Sequence, residues 1–173
     1  EKAINPDKLL YFKTDTHWND YGAYIAYKHI ENKLLQWKVG DRSNKKVEFF
    51  ESEYKGEFSS MMGNVNLLAS EKTFEGKVLN SNVKDVYDEE LAKKIDVYQQ
   101  GHNRAYGVDQ YYDNAVNKKN VLIYGDSFFG KWNIIPLLSE NFKSTHFVWS
   151  DKVIPKTVDE IKPDVIIFER TER

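Results

Sequence analysis

Two short segments, far apart in the chain, carry the residue types that nucleophilic catalysis requires. Asp15-Thr16-His17-Trp18-Asn19 lies near the start of the sequence, and Gly125-Asp126-Ser127 lies near its end. A serine hydroxyl becomes a nucleophile when a base takes its proton, and the base needs a partner that orients it. Asp15, His17 and Ser127 supply one residue for each role. The leading interpretation is therefore an enzyme with a serine nucleophile.

Ser127 follows an apolar run, Val121-Leu122-Ile123-Tyr124, which is typical of a parallel strand buried on both faces. Gly125 allows the chain to turn sharply after that strand. Sites in open parallel sheets form beyond the carboxyl ends of the strands, and N–H groups at the start of a following helix can stabilise an oxyanion. We expect the backbone N–H of Ser127 to be one such donor. The alternative is that Asp126 or Ser127 only caps this helix.

His17 differs from the other histidines, which are His29, His102 and His146, because an aspartate lies two residues before it. Asp15 can accept a hydrogen bond from one ring nitrogen and leave the other free to take the proton of Ser127. The alternative is a capping aspartate beside a surface histidine. The sequence has no HExxH or other dense metal-ligand pattern, so we predict neither a metal site nor a cofactor.

The composition of the 173 residues excludes several classes of protein. A formal net charge of −2 argues against a general nucleic-acid binder, and the absence of cysteine excludes disulfides and a thiol nucleophile. No apolar run approaches the roughly 20 residues that span a bilayer. The chain starts with Glu1-Lys2-Ala3, so we expect a fragment whose leader or anchor lies outside it. The 11 Tyr, 10 Phe and 4 Trp fit a core, or a sugar-binding groove lined by a few of them.

The apolar pattern predicts one α/β domain over residues 1–173 that positions the two segments. A strand over 9–12 leads to Asp15, and Asn19 or Asp20 caps a helix over 21–37. The last third alternates strands and helices, which is typical of a parallel sheet. Its strands are expected at 120–124, 145–149 and 165–168, and its helices at 128–141, interrupted or delayed by Pro136, and at 157–162.

Residues 47–117 are expected to form an irregular insert in this domain, and inserts of this kind are often functional. Within it the sequence suggests strands at 47–51 and 73–79, a weak helix at 89–98, and a surface excursion rich in Tyr and Gly at 101–114. Gly63 and Asn64 lie in a loop rich in Gly and Ser within this insert.

The two segments resemble motifs of one family. Asp15-Thr16-His17-Trp18-Asn19, followed by Gly22-Ala23, resembles the Asp-x-His-Trp segment of the alginate O-acetyltransferase-like branch of SGNH hydrolases, the DHHW and AlgJ/AlgX-like proteins. Gly125-Asp126-Ser127-Phe128 resembles their nucleophile block. In this branch Asp and His precede Ser, as they do here, and residues 165–173 resemble the closing strand with its Glu/Arg-rich end.

The resemblance implies a three-layer α/β/α fold with a parallel sheet, and a Ser127–His17–Asp15 triad. It also implies an O-acetyltransferase that acts on an extracellular or cell-envelope polysaccharide through an acetyl-serine. The acetyl donor would be supplied by a membrane-bound O-acyltransferase. We therefore expect an extracytoplasmic protein that is membrane-anchored at full length.

The sequence also departs from the family pattern. Only 14 residues precede Asp15, where the family has another strand, so we expect a sheet that is incomplete at the N-terminus or pairs with a segment outside the chain. No Gly-x-Asn-Asp block is present, and Gly63-Asn64 is the stand-in for an oxyanion donor. Trp18 and Trp132 are candidates for substrate binding.

Three alternatives to the transferase remain open. Water could replace the sugar as acceptor, which would make the same triad a polysaccharide acetylesterase. The chain could instead be a glycan-binding module without catalysis, using surface aromatics such as Tyr106, Tyr111, Tyr112 and Trp132. It could also be an assembly subunit that binds another protein.

Overall fold

The computed structural model describes residues 8–63, 70–86, 108–130 and 134–171. The helices are α1 (Asp20–Gln36), α2 (Phe58–Met61), α3 (Ser127–Gly130), α4 (Ile134–Ser139) and α5 (Pro155–Ile161). The strands are β1 (Val47–Tyr54), β2 (Glu71–Val78), β3 (Lys84–Asp85), β4 (Val108–Asp113), β5 (Asn120–Gly125), β6 (Ser144–Trp149) and β7 (Val165–Phe168). The strands form a two-stranded sheet and a five-stranded sheet.

The five-stranded sheet has the order β3-β4-β6-β5-β7. Strand β5 runs parallel to both β6 and β7, which confirms the parallel arrangement predicted for the last third of the chain. Strands β3 and β4 extend this sheet with antiparallel pairing, so the sheet is mixed rather than fully parallel. The prediction of a surface excursion over 101–114 is wrong for residues 108–113. These residues form β4, which pairs with β6 inside the sheet.

Helices cover both faces of this sheet. On one face the main core joins Val121 and Ile123 of β5 to the buried residues of α1 and α4. On the other face Leu122 and Tyr124 of β5 pack with Val148 and with the apolar residues of α5. The alternation follows from the period of two along a strand, and it produces the predicted α/β/α layers.

Strand β7 occupies an edge of the sheet as the structure describes it. The sequence predicted a buried strand at 165–168. The strand is present, but Ile166 and Phe168 are each 43% exposed. Both residues pair with residues of β5 and lie on the same face of the sheet as α5. Helix α5 covers β5, so the side chains of Ile166 and Phe168 lie at the edge of the covered area.

Helix α1 begins as predicted, because the side chain of Asn19 accepts a hydrogen bond from the Gly22 N–H at 3.0 Å. Its core-facing residues include Ala23, Tyr27 and Leu34. Gly22 is required for packing, since a Cβ there would overlap the carbonyl oxygen of Leu10.

Glu31 lies on the same helix and is fully buried. One of its carboxylate oxygens accepts hydrogen bonds at 3.0 Å from the Tyr27 hydroxyl, the Ser43 backbone N–H and the Asn141 side chain. The other oxygen pairs with Lys28. Burial raises the pKa of Glu31, but these donors outweigh it and leave the pKa below its ordinary value. Glu31 thus ties α1 to the loop after it and to the loop before β6.

Strands β1 and β2 pair antiparallel over eight residues each, from Val47 opposite Val78 to Tyr54 opposite Glu71. We call this pair the hairpin sheet. The irregular insert expected over 47–117 is therefore regular here, in agreement with the strands suggested at 47–51 and 73–79. The weak helix predicted at 89–98 lies outside the described residues.

The described residues of the stretch predicted as one helix over 128–141 include two helices, and residues 131–133 lie outside the described part of the chain. Helix α3 begins at Ser127 and ends at Gly130, and α4 begins at Ile134 with Pro136 as its third residue. Proline is tolerated in the first turn because its missing N–H has no partner there in any case. Pro136 thus lies within the first turn of α4 and does not end that helix.

Candidate active site

The loop that carries Asp15 and His17 is closed by its own backbone. Tyr11 and Trp18 form an antiparallel bridge, and the Phe12 N–H donates to the His17 carbonyl at 3.2 Å. The strand predicted over 9–12 is reduced to this bridge in the structure. The tight loop holds Asp15 and His17 with their side chains on the same side.

Asp15 and His17 are both buried, with 5% and 4% of their surfaces exposed. Oδ1 of Asp15 lies 2.6 Å from Nδ1 of His17 and 3.0 Å from the His17 backbone N–H. An ionised carboxylate can only accept hydrogen bonds, so Nδ1 carries the proton. Nε2 of His17 is then the acceptor nitrogen of the neutral ring.

That acceptor nitrogen faces the serine that the sequence singled out. Nε2 of His17 lies 2.7 Å from Oγ of Ser127, although 110 positions separate the two residues. The imidazole ring also packs against Phe128, with 5.0 Å between ring centroids. The structure therefore joins Asp15, His17 and Ser127 in one hydrogen-bonded chain, and His17 can take the serine proton.

The turn that presents Ser127 is held from three sides. The Asp126 side chain accepts a hydrogen bond from the Phe128 N–H at 2.8 Å and another from the Thr171 hydroxyl at 2.8 Å. The Asp126 N–H donates to the Glu169 carboxylate at 3.0 Å. A Cβ at Gly125 would approach that carboxylate to 2.8 Å, so a larger residue here would displace the Glu169 side chain.

The Ser127 backbone N–H, the expected oxyanion donor, is at the first position of α3. Within the described part of the chain it donates no hydrogen bond to another backbone group. The other N–H groups of this short helix are engaged, since those of Phe129 and Gly130 donate to the Asp126 carbonyl. The Ser127 N–H is thus available to a developing oxyanion beside its own side chain.

The hairpin sheet and the turn that follows β1 supply contacts to Asp15 that sequence reasoning missed. The Tyr54 hydroxyl donates to Oδ2 of Asp15 at 2.6 Å, and the Glu57 N–H donates to the same oxygen at 3.3 Å. Burial raises the pKa of Asp15, but the hydrogen bonds from Tyr54 and His17 outweigh it and lower the pKa below its ordinary value. Asp15 therefore stays ionised beside His17.

The hairpin sheet and the turn after β1 also contact the two residues before Asp15. The Glu71 carboxylate accepts hydrogen bonds from the backbone N–H groups of Lys13 and Thr14, each at 2.7 Å. The Thr14 carbonyl accepts from the Phe58 N–H at 3.1 Å, and a Cβ at Gly56 would overlap that carbonyl. Gly56, which closely follows β1, was the sequence signal that could have indicated this close approach of two backbone segments.

Oxygen and nitrogen atoms of Asp15, His17 and Glu57 lie within 4.8 Å of one another, close enough for a metal site to be considered. However, the 2.6 Å between Nδ1 and Oδ1 is a hydrogen-bond distance, and Oδ2 of Asp15 already accepts from Tyr54. Glu57 accepts from the Thr16 hydroxyl at 2.5 Å. The contacts are those of an acid–base pair.

The remaining predicted site residues differ in their placement. Trp18 is half-buried with its ring 5.3 Å from that of Phe128, so it packs beside the turn that carries Ser127. Gly63 has a φ of 73° and its N–H donates to the Ser60 carbonyl. Asn64 and Trp132 lie outside the described residues.

The surface aromatics proposed for a glycan-binding module also differ. Tyr112 is half-buried and packs against the main core, which leaves little of it for a binding surface. Tyr106 lies outside the described residues, and Tyr111 belongs to β4. Among the described helices, none combines the length and hydrophobicity of a membrane span.

Solved structures share this fold. PatB1 of Bacillus cereus is similar with a TM-score of 0.61 and 21% identity, over 92% of this chain and 61% of that chain. A DHHW family protein from Eubacterium siraeum is similar with a TM-score of 0.61 and 15% identity, over 95% of this chain and 59% of that chain. A structure of Bacillus cereus PatB1 with a sulfonyl adduct gives a TM-score of 0.59 and 19% identity, over 92% and 59% of the two chains. The chain thus spans about three fifths of the length of these proteins.

A search among curated protein sequences finds no match. The family model described as SGNH hydrolase-like domain, acetyltransferase AlgX, matches residues 2–145, which is most of the chain. The shared fold and the order of the Asp-x-His and Gly-Asp-Ser segments agree with that match. The chain belongs to the AlgX family of SGNH hydrolase-like acetyltransferase domains.

Proposed function

We propose that this domain is a serine-dependent O-acetyltransferase that moves acetyl groups to hydroxyls of a cell-envelope or extracellular polysaccharide. The observation that carries the proposal is the pair of short contacts made by His17, 2.6 Å to Asp15 and 2.7 Å to Ser127. An imidazole held between a carboxylate and a serine hydroxyl is the arrangement that general-base activation of serine requires.

In the first half-reaction, Nε2 of His17 takes the proton of Ser127 while Oγ attacks the carbonyl carbon of an acetyl ester. The carbonyl oxygen gains negative charge, and the Ser127 N–H is placed to stabilise it. The intermediate then collapses, the bond to the leaving alcohol breaks, and His17 returns its proton to that alcohol. The product is acetyl-Ser127.

In the second half-reaction, His17 takes the proton of a sugar hydroxyl as that oxygen attacks acetyl-Ser127. Collapse of the second intermediate breaks the bond to Oγ, and His17 returns the proton to Ser127. Asp15 stabilises the imidazolium in both steps and keeps the ring in the same tautomer. If water were the acceptor, the same steps would release acetate, and the domain would be an acetylesterase.

The assignment of acetyl as the acyl group, and of a polysaccharide as the acceptor, is supported by membership of the AlgX family. We also propose that a membrane-bound O-acyltransferase supplies the acetyl group and that the domain works outside the cytoplasm. The absence of cysteine is compatible with a bacterial envelope protein.

The test is to treat the purified domain with p-nitrophenyl acetate or with an aryl sulfonyl fluoride, and to locate adducts by intact mass and peptide mapping. PatB1 of Bacillus cereus has a structure with a sulfonyl adduct, which makes this reagent a suitable probe. Ser127→Ala and His17→Ala are the test variants. Ser70→Ala and His29→Ala, which change exposed residues, are the matched controls.

We expect an adduct on Ser127 that both test variants lose and both controls keep. Transfer from acetyl-Ser127 to an added oligosaccharide, faster than release to water, would support the transferase. Release to water alone, unchanged by the oligosaccharide, would favour the esterase. A folded protein without any adduct on Ser127 would refute serine catalysis, and oligosaccharide binding in that sample would point to a glycan-binding module.

A further inference from the structure

The Tyr54 hydroxyl, at the end of β1, contacts the oxygen of Asp15 that His17 does not use. We propose that Tyr54 is a positioning residue, which fixes the Asp15 carboxylate so that Oδ1 faces His17, and that the hairpin sheet thereby takes part in activating Ser127. The inference rests on the proposed function and adds to it a residue from an element that neither sequence motif contains.

The geometry of the carboxylate supports this role. From the described residues its two oxygens accept from four donors, with the His17 N–H and Nδ1–H on Oδ1, and the Tyr54 O–H and Glu57 N–H on Oδ2. A carboxylate is planar, so donors on one oxygen fix the direction of the other. The contact with Tyr54 is 2.6 Å, against 3.3 Å for Glu57. Tyr54 is therefore the stronger constraint on the Oδ2 side.

The position of Tyr54 is itself fixed by packing. Its ring lies against that of buried Phe12, with 4.1 Å between the centroids, and it is the last residue of β1, paired with Glu71 of β2. Glu71 also holds the backbone of Thr14. Both strands of the hairpin sheet thus meet the loop that carries Asp15, so a hydroxyl at position 54 has a defined direction.

The charges around Tyr54 keep it in the donor form. Burial raises its pKa, and the hydrogen bond to Asp15 and the negative charges of Asp15, Glu57 and Glu71 raise it further. The phenol therefore remains protonated at neutral pH. A neutral donor on Oδ2 stabilises ionised Asp15, so its removal must increase the proton affinity of the coupled Asp15–His17 pair.

Tyr54→Phe tests this role, because phenylalanine keeps the ring packing on Phe12 and removes only the hydroxyl. Tyr24→Phe is the matched control, since Tyr24 packs against the hairpin sheet through Phe49 without a hydrogen bond to Asp15. We expect the rate of Ser127 acylation to fall roughly tenfold or more in Tyr54→Phe, the loss typical of a hydrogen bond to a charged group. The control should keep the rate.

The pH dependence provides the readout that packing alone would not change. In Tyr54→Phe the midpoint of the acidic limb of the acylation profile should move to higher pH. The same shift should appear in an NMR titration of the His17 ring, which requires no acylation. If Ser127 forms no adduct in the wild type, the proposed function fails, but this titration still tests Tyr54.

A second substitution gives the opposite prediction. 3-Fluorotyrosine placed only at position 54 is a stronger donor, and it should move the His17 titration to lower pH. Should Tyr54→Phe fail to fold, this variant decides the question. Titrations and acylation rates that match the wild type in folded Tyr54→Phe, or in the fluorotyrosine protein, would overturn the inference.

Discussion

Asp15→Asn is the substitution for which the structure predicts the largest effect with the smallest change in shape. Among the described residues, the groups hydrogen-bonded to this carboxylate are all donors, two from His17, one from Tyr54 and one from Glu57. An amide has one acceptor oxygen, and its nitrogen only donates. Either orientation of the substituted amide therefore directs a donor at a donor.

The size of the effect on catalysis follows from the charge of Asp15 and from the His17 tautomer that Asp15 stabilises. When His17 takes the serine proton it becomes a cation, and Asp15 lies 2.6 Å from its Nδ1. Two unit charges about 4 Å apart interact by about 4 kcal/mol at an effective dielectric constant of about 20. That energy corresponds to roughly a thousandfold in rate. An amide N–H facing Nδ1 would in addition place the ring proton on Nε2, the nitrogen that must accept from Ser127.

The effect on stability has a pH dependence of known sign. Because the folded-state pKa of Asp15 is lowered, its contribution is present above the unfolded-state pKa and is lost as the pH falls through the folded-state pKa. We expect Asp15→Asn to lose about 1–3 kcal/mol of unfolding free energy at neutral pH. The difference from the wild type should shrink in acid.

The assay is the second-order rate of adduct formation on Ser127, with urea unfolding at several pH values on the same samples. Asp41→Asn, which changes an exposed aspartate, is the control and should behave as the wild type. A folded Asp15→Asn protein that reacts within tenfold of the wild-type rate would refute the assignment of Asp15 as the residue that orients His17.

Three further substitutions test the scaffold, each by urea unfolding. Glu31→Leu leaves three buried donors without their acceptor and should cost about 3–5 kcal/mol, whereas exposed Glu48→Leu should cost under about 0.5 kcal/mol. Gly22→Ala should destabilise by about 2 kcal/mol or more despite the better helix propensity of alanine, and Gly40→Ala, whose Cβ would meet its nearest neighbour at 3.3 Å, should lose less. Burial, together with repulsion from the Asp126 carboxylate, raises the pKa of Glu169. Its contribution to the free energy of unfolding is therefore lost as the pH rises through that pKa. Glu169→Gln should remove this loss of stability with rising pH.

The parts of the fold that were predictable are those specified by local sequence. The apolar run 121–124 predicted a buried strand, and all four residues are fully buried in β5. The spacing of apolar residues after Asn19, with the capping side chain itself, predicted α1 within one residue at each end. Periodicity and capping depend on neighbours within a few positions, so one sequence contains them.

The parts that were not predictable depend on pairing between distant segments. Residues 108–113 have no apolar run, and they become β4 because β6 presents an edge for antiparallel pairing. Tyr54 carries no motif, and its role depends on where the hairpin sheet meets the loop around Asp15. Such contacts between distant segments are determined by tertiary packing, and local sequence propensity does not predict them.

The site illustrates the same division. Each motif is a self-contained turn, the first closed by the bridge between Tyr11 and Trp18 and the second by hydrogen bonds to the Asp126 carbonyl. Their residue types could therefore be identified from sequence, but a distance of 2.7 Å between His17 and Ser127 requires α1 to pack on the sheet beside α4. The hairpin sheet then holds the Asp15 loop from the opposite side, through Glu71 and Tyr54. Because these hydrogen bonds reach Thr14 and Asp15, substitutions in the hairpin sheet should act on Ser127 through the protonation of the Asp15–His17 pair.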